Sequence, residues 1–277
     1  MKVIFLGTSS GAGKTTVTAL YCRYLSKKGV NAAPFKASNL SLNSFVTKDG
    51  REIGIGQAFQ AWVSGIEPSS DMNPILLKPS GNGVMQLIVD GKAQDDISDT
   101  NPMNRKAVMK KACEAFDRLS DVHDAVVCEG SGSPAELNLL DRDIANTGIM
   151  RERNIPAILV GDIERGGVFA ALYGTWLLMP EDVRPLLKGF IINRFRGDPS
   201  ILESAINKIE ELTGMTFIGT IPYMYLKFPE EDSMSDTGGK LEGPTVRDAF
   251  ISNADALLET AKKYGLDLKK IEDISSS

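Results

Sequence analysis

The sequence predicts an α/β protein with a doubly wound, mainly parallel sheet. Three observations carry that expectation. Short Val- and Ile-rich runs at 2–6, 32–36, 85–89, 125–128, 157–161, 189–192 and 217–221 interleave with longer amphipathic segments at 14–28, 53–64, 104–119, 143–153 and 200–213. Within the runs, apolar residues follow one another without polar alternation, as expected of strands covered on both faces. The first run leads into a glycine-rich loop that opens a helix, Gly7-Thr8-Ser9-Ser10-Gly11-Ala12-Gly13-Lys14-Thr15-Thr16.

Taken in order, run 2–6 is the strand that feeds this loop, and 14–28 is the helix the loop opens. Run 32–36 ends in Lys36 and is followed by a polar, Asn- and Ser-rich stretch at 38–47. Helix 53–64 precedes a second stretch, 68–83, rich in Pro, Ser, Asn and Gly. Both stretches read as long functional loops. Strand 85–89 and helix 104–119 follow, then strand 125–128, which delivers Glu129. Asp143 suits the N-cap of helix 143–153. Strands 157–161 and 189–192 end at Asp162 and Asn193, and strand 217–221 ends at Pro222 and Tyr223. A polar, Gly-containing linker at 230–243 separates these from a closing helix opened by Pro244, with Val246, Phe250, Leu257, Leu258 and Ala261 as its apolar stripe. Residues 274–277 are expected to fray. The division is thus 1–232, a P-loop domain, and 233–277, a linker with a C-terminal helix and tail.

The 277 residues suffice for one large domain or two small ones, and 42% hydrophobic with 24% charged residues is ordinary for a globular chain. A net charge of -5 argues against nucleic acid as the main partner. No apolar run is long enough for a membrane span, and the apolar part of the N-terminus is too short for a signal peptide. The chain is therefore expected to be cytoplasmic and uncleaved. Cys22, Cys113 and Cys128 form no CxxC spacing and read as reduced thiols, Cys128 as a buried structural one. The one histidine, His123, reads as a surface residue and excludes a multi-histidine metal site.

Strand, small-residue loop, Lys-Thr and helix together form a P-loop, which binds Mg²⁺–ATP. Backbone N–H groups around Gly11, Ala12 and Gly13 would cradle phosphate, with the helix N-terminus adding its positive end. Lys14 would neutralise charge between the β- and γ-phosphates, and Thr15 would ligate Mg²⁺, with Thr16 beside it. The loop is a variant, because Thr8 stands where the strict pattern has its first glycine. Glu129, at the carboxyl edge of a parallel strand, fits either a Mg²⁺ ligand opposite Thr15 or an ordinary strand-end acid. Lys36 has three readings: a partner for a transferring phosphoryl group, one for a substrate carboxylate, or a solvated loop lysine. Asn39 and Asn43 fit either substrate contacts or Asx turns. Asp143 fits a cap or a site acid. Arg165 with Gly166 and Gly167 suits an anion or a plain tight turn. Asn193 offers an amide to a nucleotide base or ends a strand, and Pro222 with Tyr223 would wall a base pocket.

These residues, in this order, resemble cobyric acid synthase over roughly 1–232. The most specific pieces are Ala33-Pro34-Phe35-Lys36 with Asn39 to Ser44, Asp71-Met72-Asn73-Pro74-Ile75-Leu76-Leu77-Lys78-Pro79, and Glu129-Gly130-Ser131-Gly132-Ser133-Pro134-Ala135-Glu136. Asp141-Arg142-Asp143-Ile144, Asp162 to Phe169 and Ile192-Asn193-Arg194-Phe195-Arg196-Gly197-Asp198 complete the set. The P-loop variant is also similar to that of dethiobiotin synthetase, whose fold is related.

The resemblance implies an ATP-dependent amidoligase. It would phosphorylate peripheral carboxylates of cobyrinic acid a,c-diamide, and ammonia would attack each acyl phosphate with release of phosphate. Lys14, Thr15 and Glu129 match positions that hold Mg²⁺–ATP. Lys36 would stabilise charge during transfer, Asn39 and Asn43 would lie near substrate, Asp143 would orient acyl phosphate or ammonia, and Asn193 would read adenine. The family's glutaminase domain needs a nucleophilic Cys paired with a His. No Cys follows Cys128 here, and His123 lies inside the synthetase portion. Ammonia would then be free or come from a separate glutaminase subunit, unless the chain is a truncated form or does something else. The closing helix could cap the domain, mediate a homodimer or dock that subunit. Two other readings are a dethiobiotin-synthetase-like ligase on a smaller acid and a partitioning-type regulatory ATPase; the latter carries a second lysine where Ser9 stands.

Overall fold

The computed structural model describes residues 1–225 and 245–277. Its centre is a six-stranded sheet in which every neighbouring pair is parallel. The strands are β1 (Lys2–Gly7), β2 (Ala32–Phe35), β9 (Ala125–Glu129), β10 (Ala157–Asp162), β11 (Leu187–Phe195) and β12 (Thr216–Pro222), in the spatial order β12-β11-β10-β1-β9-β2. The order reverses at β1, so a crevice opens beyond its carboxyl end, where such sheets bind ligands.

Both faces of the sheet are covered, which explains the uninterrupted apolar runs. From β1, Val3 and Phe5 face one core and Ile4 and Leu6 the other. The first core is closed by α1 (Lys14–Lys27), α2 (Ile55–Ser64), α7 (Val246–Lys263) and α8 (Leu268–Ser275) through Leu20, Phe59, Phe250, Leu258 and Ile271. The second is closed by α3 (Arg105–Val122), α4 (Thr147–Arg153), α5 (Val168–Leu178) and α6 (Glu203–Thr213) through Phe116, Met150, Leu172 and Ile206. No helix among the described residues is long and apolar enough to cross a membrane.

Several expectations shift. The strand expected at 85–89 is β7 (Val84–Val89), and it lies outside the parallel sheet. With β3 (Ser38–Leu40), β6 (Ile75–Gly81) and β8 (Lys92–Ala93) it forms a second sheet ordered β3-β6-β7-β8. The stretch 68–83, expected as a loop, thus contains β6. Its Pro and Gly mask a strand whose Ile75 and Leu76 are fully buried. Asn82-Gly83 and Asp90-Gly91 make the two-residue turns of this meander, and all four residues have positive φ, as primed hairpin turns require. The polar 38–47 stretch contains β3 and β4 (Ser44–Val46), which pairs with β5 (Glu52–Gly54).

Helix α4 starts at Thr147, not at Asp143, because a 3-10 turn at Leu140–Arg142 intervenes and Asp143 itself is extended. Asp143 still serves the helix start, accepting from the Asn146 and Thr147 backbone N–H groups at 2.9 and 2.6 Å. Helix α5 went unpredicted because its residues are apolar all round and show no amphipathic period. The expected linker at 230–243 and Pro244 lie outside the described residues. Beyond them, α7 caps the domain. Phe250 packs edge-on to Phe59 at 4.9 Å and stacks near Trp62 at 6.1 Å, while Arg23 grips Asp255 with two hydrogen bonds. Cys22, Cys113 and Cys128 are free and buried, and burial pushes the Cys22 thiol up to about 12.

Candidate active site

Strand register assembles the site. Glu129 pairs alongside Phe5, two residues before the loop begins, and Phe35 pairs with Cys128, so Lys36 leaves β2 beside Glu129. Asp162 pairs with Asn193 on the other side of β1. One cavity of about 1370 Å³ collects these strand ends.

The loop itself turns through Gly11 and Gly13, at φ +70° and +101°. A Cβ on Gly13 would stand 2.0 Å from the Asn193 amide nitrogen. Only glycine allows that approach, and Asn193 uses it to donate to the Ala12 carbonyl at 2.9 Å. Its oxygen accepts from the Arg194 backbone at 2.9 Å. Asn193 therefore braces the phosphate loop from β11 while lining the cavity. Arg194 holds an unusual φ of +61° and donates to Asp162 at 2.6 Å. Lys14 is 7% exposed and spans the loop mouth, donating to the Ser9 and Gly132 carbonyls at 3.1 and 2.9 Å.

Glu129 is the hub. It is 1% exposed, and its Oε1 accepts from Thr15 Oγ1 at 2.8 Å and from Lys36 Nζ at 3.0 Å. Its Oε2 accepts from Gln60 Nε2 at 2.6 Å. Lys36 is thus a buried ion-pair partner, which removes the solvated-lysine reading. A hydroxyl and a carboxylate in contact, with an ammonium in the adjoining loop, are the hard-oxygen and cationic donors that a magnesium–nucleotide requires. Donor chemistry and loop shape both fit that group. Thr15 and Glu129 would hold the metal, and the N–H groups of Gly11 to Thr16 with Lys14 would hold the phosphates.

Other expected residues separate into two groups. Asn39 is buried, lines the cavity and donates to Gln57 at 3.3 Å. Thr16, Asp143, Arg165 and Pro222 also line it. Asn43 does not: it is exposed, outside the lining, and its backbone turns with Ser41 and Ile55. Its expected substrate contact is not brought together by the fold, because the chain leaves the cavity after β3 to form the β4–β5 ribbon. Tyr223 is also outside the lining, its ring covered by the Arg196 guanidinium at 3.5 Å. Gly166 and Gly167 make a tight turn at φ +78° and +73°.

Sequence reasoning missed Gln60 and Asn146. Asn146 clamps the loop after β9, accepting from Ser131 N at 3.0 Å and donating to Ser131 O at 2.7 Å. A Cβ on Gly130 would lie 2.2 Å from its oxygen. Neither side chain belongs to a local motif; each acts on a distant strand end. Leu257 of α7 also lines the cavity, so the C-terminal segment contributes to its wall.

Parallel sheet, phosphate loop after its central strand and acidic strand end define a P-loop nucleotide-binding protein. The chain belongs to the family of the CobQ/CobB/MinD/ParA nucleotide binding domain, whose model matches residues 3–231. It is 48% identical over 91% of its length to the probable cobyric acid synthase of Methanoculleus marisnigri, covering 52% of that protein. Against the probable cobyric acid synthase of Methanosarcina barkeri the identity is 53% over 84% of this chain and 48% of the relative. For that of Archaeoglobus fulgidus it is 50% over 83% and 50%. The chain spans about half the length of the curated relatives it matches.

Proposed function

We propose that this chain is the ATP-dependent part of an amidoligase that converts peripheral carboxylates of a corrinoid to amides, taking cobyrinic acid a,c-diamide to cobyric acid. The observation that carries the reading is the cavity. The phosphate loop lines it together with Leu40, Leu77, Met85, Ile97, Met103 and Leu139. Leu40 and Leu139 are each 47% exposed at the site. An apolar wall of that extent suits a broad, largely apolar ring better than a small acid. Arg105, Arg142 and Arg165, also in the lining, suit carboxylates carried on the rim of such a ring. The identity to probable cobyric acid synthases supports the same substrate class.

Mg²⁺–ATP, when bound, would supply the γ-phosphoryl group; the substrate carboxylate would become an acyl phosphate as ADP leaves, and ammonia would attack its carbonyl carbon and expel phosphate to give the amide. Lys14 and the loop N–H groups bind and orient the phosphates. Thr15 and Glu129 would hold the metal, and Lys36 would offer positive charge to the transferring phosphoryl group or the acceptor carboxylate. Phosphoryl transfer to a carboxylate needs positioning and charge neutralisation rather than a proton relay, which is what this residue set offers. Asn39 orients substrate from β3. Asp143, already bonded to Thr147 Oγ1 at 2.7 Å, shapes the rim where ammonia would approach. Asn193, braced against Ala12, and Pro222 flank the base.

The test is ATP turnover with ammonium and cobyrinic acid a,c-diamide, with product mass followed in parallel. The reading expects ADP release coupled stepwise to the exchange of hydroxyl for amino groups in the corrinoid. Nucleotide binding without turnover under any corrinoid would overturn the substrate assignment.

A further inference from the structure

The geometry points to Gln60 as a positioning residue that fixes the carboxylate of Glu129 for metal binding. This rests on the reading of Thr15 and Glu129 as the metal-holding pair. Gln60 sits on α2, fully buried, behind both members of that pair. Its Nε2 donates to Glu129 Oε2 at 2.6 Å and stands 3.4 Å from the Thr15 backbone carbonyl. One side chain thus ties the first turn of α1 to the end of β9.

A carboxylate can rotate about its last torsion and present either oxygen. Gln60 takes Oε2 from the interior side, so Oε1 is the oxygen turned toward Thr15 and Lys36. The direction is fixed by an uncharged donor, which adds no second ammonium to the one that Lys36 already sets against Glu129.

The Oε1 of Gln60 is buried with no hydrogen-bond partner. A buried, unsatisfied amide oxygen costs stability, but a methionine or leucine in its place would leave the buried Glu129 Oε2 without its donor, so the two costs oppose each other. What the amide adds over an apolar side chain is its hold on Glu129, the bond that orients the metal ligand. Partners of metal ligands are worth about 10- to 100-fold in metal affinity when removed.

The experiment uses the whole chain with ADP and Mn²⁺, read by the paramagnetic resonance of free Mn²⁺. Wild type, Gln60→Met, Gln60→Leu and Glu129→Gln are compared, with metal-free ADP affinity and thermal midpoint measured for each. The expected result is a fall of about 10- to 100-fold in Mn²⁺ affinity for both Gln60 variants, with metal-free ADP affinity unchanged whichever way the thermal midpoint moves. Unchanged Mn²⁺ affinity in both Gln60 variants, with Glu129→Gln impaired, would overturn this inference alone. Unchanged Mn²⁺ affinity in Glu129→Gln would overturn the metal reading beneath it. A parallel loss of ADP affinity and midpoint in both Gln60 variants would make Gln60 a structural residue and overturn positioning.

Discussion

Replacing Glu129 by glutamine removes one charge from the centre of the site and preserves its shape. Among the contacts described above, the carboxylate accepts from Thr15 Oγ1, Lys36 Nζ and Gln60 Nε2. An amide accepts at one end only, so at least one of these donors would face an NH₂ group. Lys36, whose side chain is 5% exposed, would also lose the opposite charge at 3.0 Å. Removing one partner of a buried ion pair costs about 3–5 kcal/mol, and the end of the amide that still accepts offsets part of this, leaving about 3 kcal/mol. Urea unfolding of the metal-free protein measures that loss, and Mg²⁺ titration of nucleotide binding measures the second effect. The Lys36→Met/Glu129→Gln double variant should recover much of the stability, because no ammonium then remains beside a neutral partner. A single variant within about 0.5 kcal/mol of wild type, with unchanged Mg²⁺ dependence, would refute both the buried pair and the metal role.

Lys14→Ala should abolish ATP turnover while circular dichroism stays that of the wild type, since Lys14 bonds only loop carbonyls among the contacts described above; surviving turnover would unseat the P-loop assignment. Asn43→Ala should leave the KM of any corrinoid substrate unchanged, because the residue lies outside the cavity lining; a raised KM would return it to the site. The guanidinium of Arg23, against an opposing cost of burial and with help from Lys27, holds the carboxyl of Asp255 below its ordinary range. A carboxyl with a lower pKa when folded stabilises fully above its unfolded pKa, and that contribution drains as pH falls through the folded value. Asp255→Asn should therefore cost about 1 kcal/mol near neutral pH and nothing at strongly acid pH, where both proteins carry a neutral group. Chemical denaturation across pH checks this, and a difference that persists in acid would show that α7 docking does not depend on the ion pair.

Much of the site was legible because its signals are local. The run from Gly7 to Thr16 states a strand, a phosphate loop and a helix in consecutive residues, and no packing information is needed to read it. Lys36, Glu129, Asp162, Asn193 and Pro222 each follow an apolar run, and in a parallel sheet all such ends share one edge. That single rule gathers them. Asn39 and Asn43 show where it stops. Four residues apart in a polar stretch, they are equivalent in composition, yet one is buried on β3 and the other exposed at the ribbon. The second sheet was hidden for a similar reason. Pro79, Gly81 and Gly83 read as loop, although Asn82-Gly83 was a hairpin signal that identifies the turn between β6 and β7.

The sequence by itself determined the fold class, the phosphate loop and the rank of strand-end residues, because each depends on neighbours in the chain and on the two-faced burial of parallel strands. Tertiary structure alone decided what those residues do to one another. Gln60 reaches Glu129 across 69 positions of sequence and Asn193 reaches Ala12 across 181. Contacts of that range come from register and helix packing, which no local pattern encodes. The same packing decided that Lys36 is a buried ion-pair partner, and that α7 walls the cavity with Leu257.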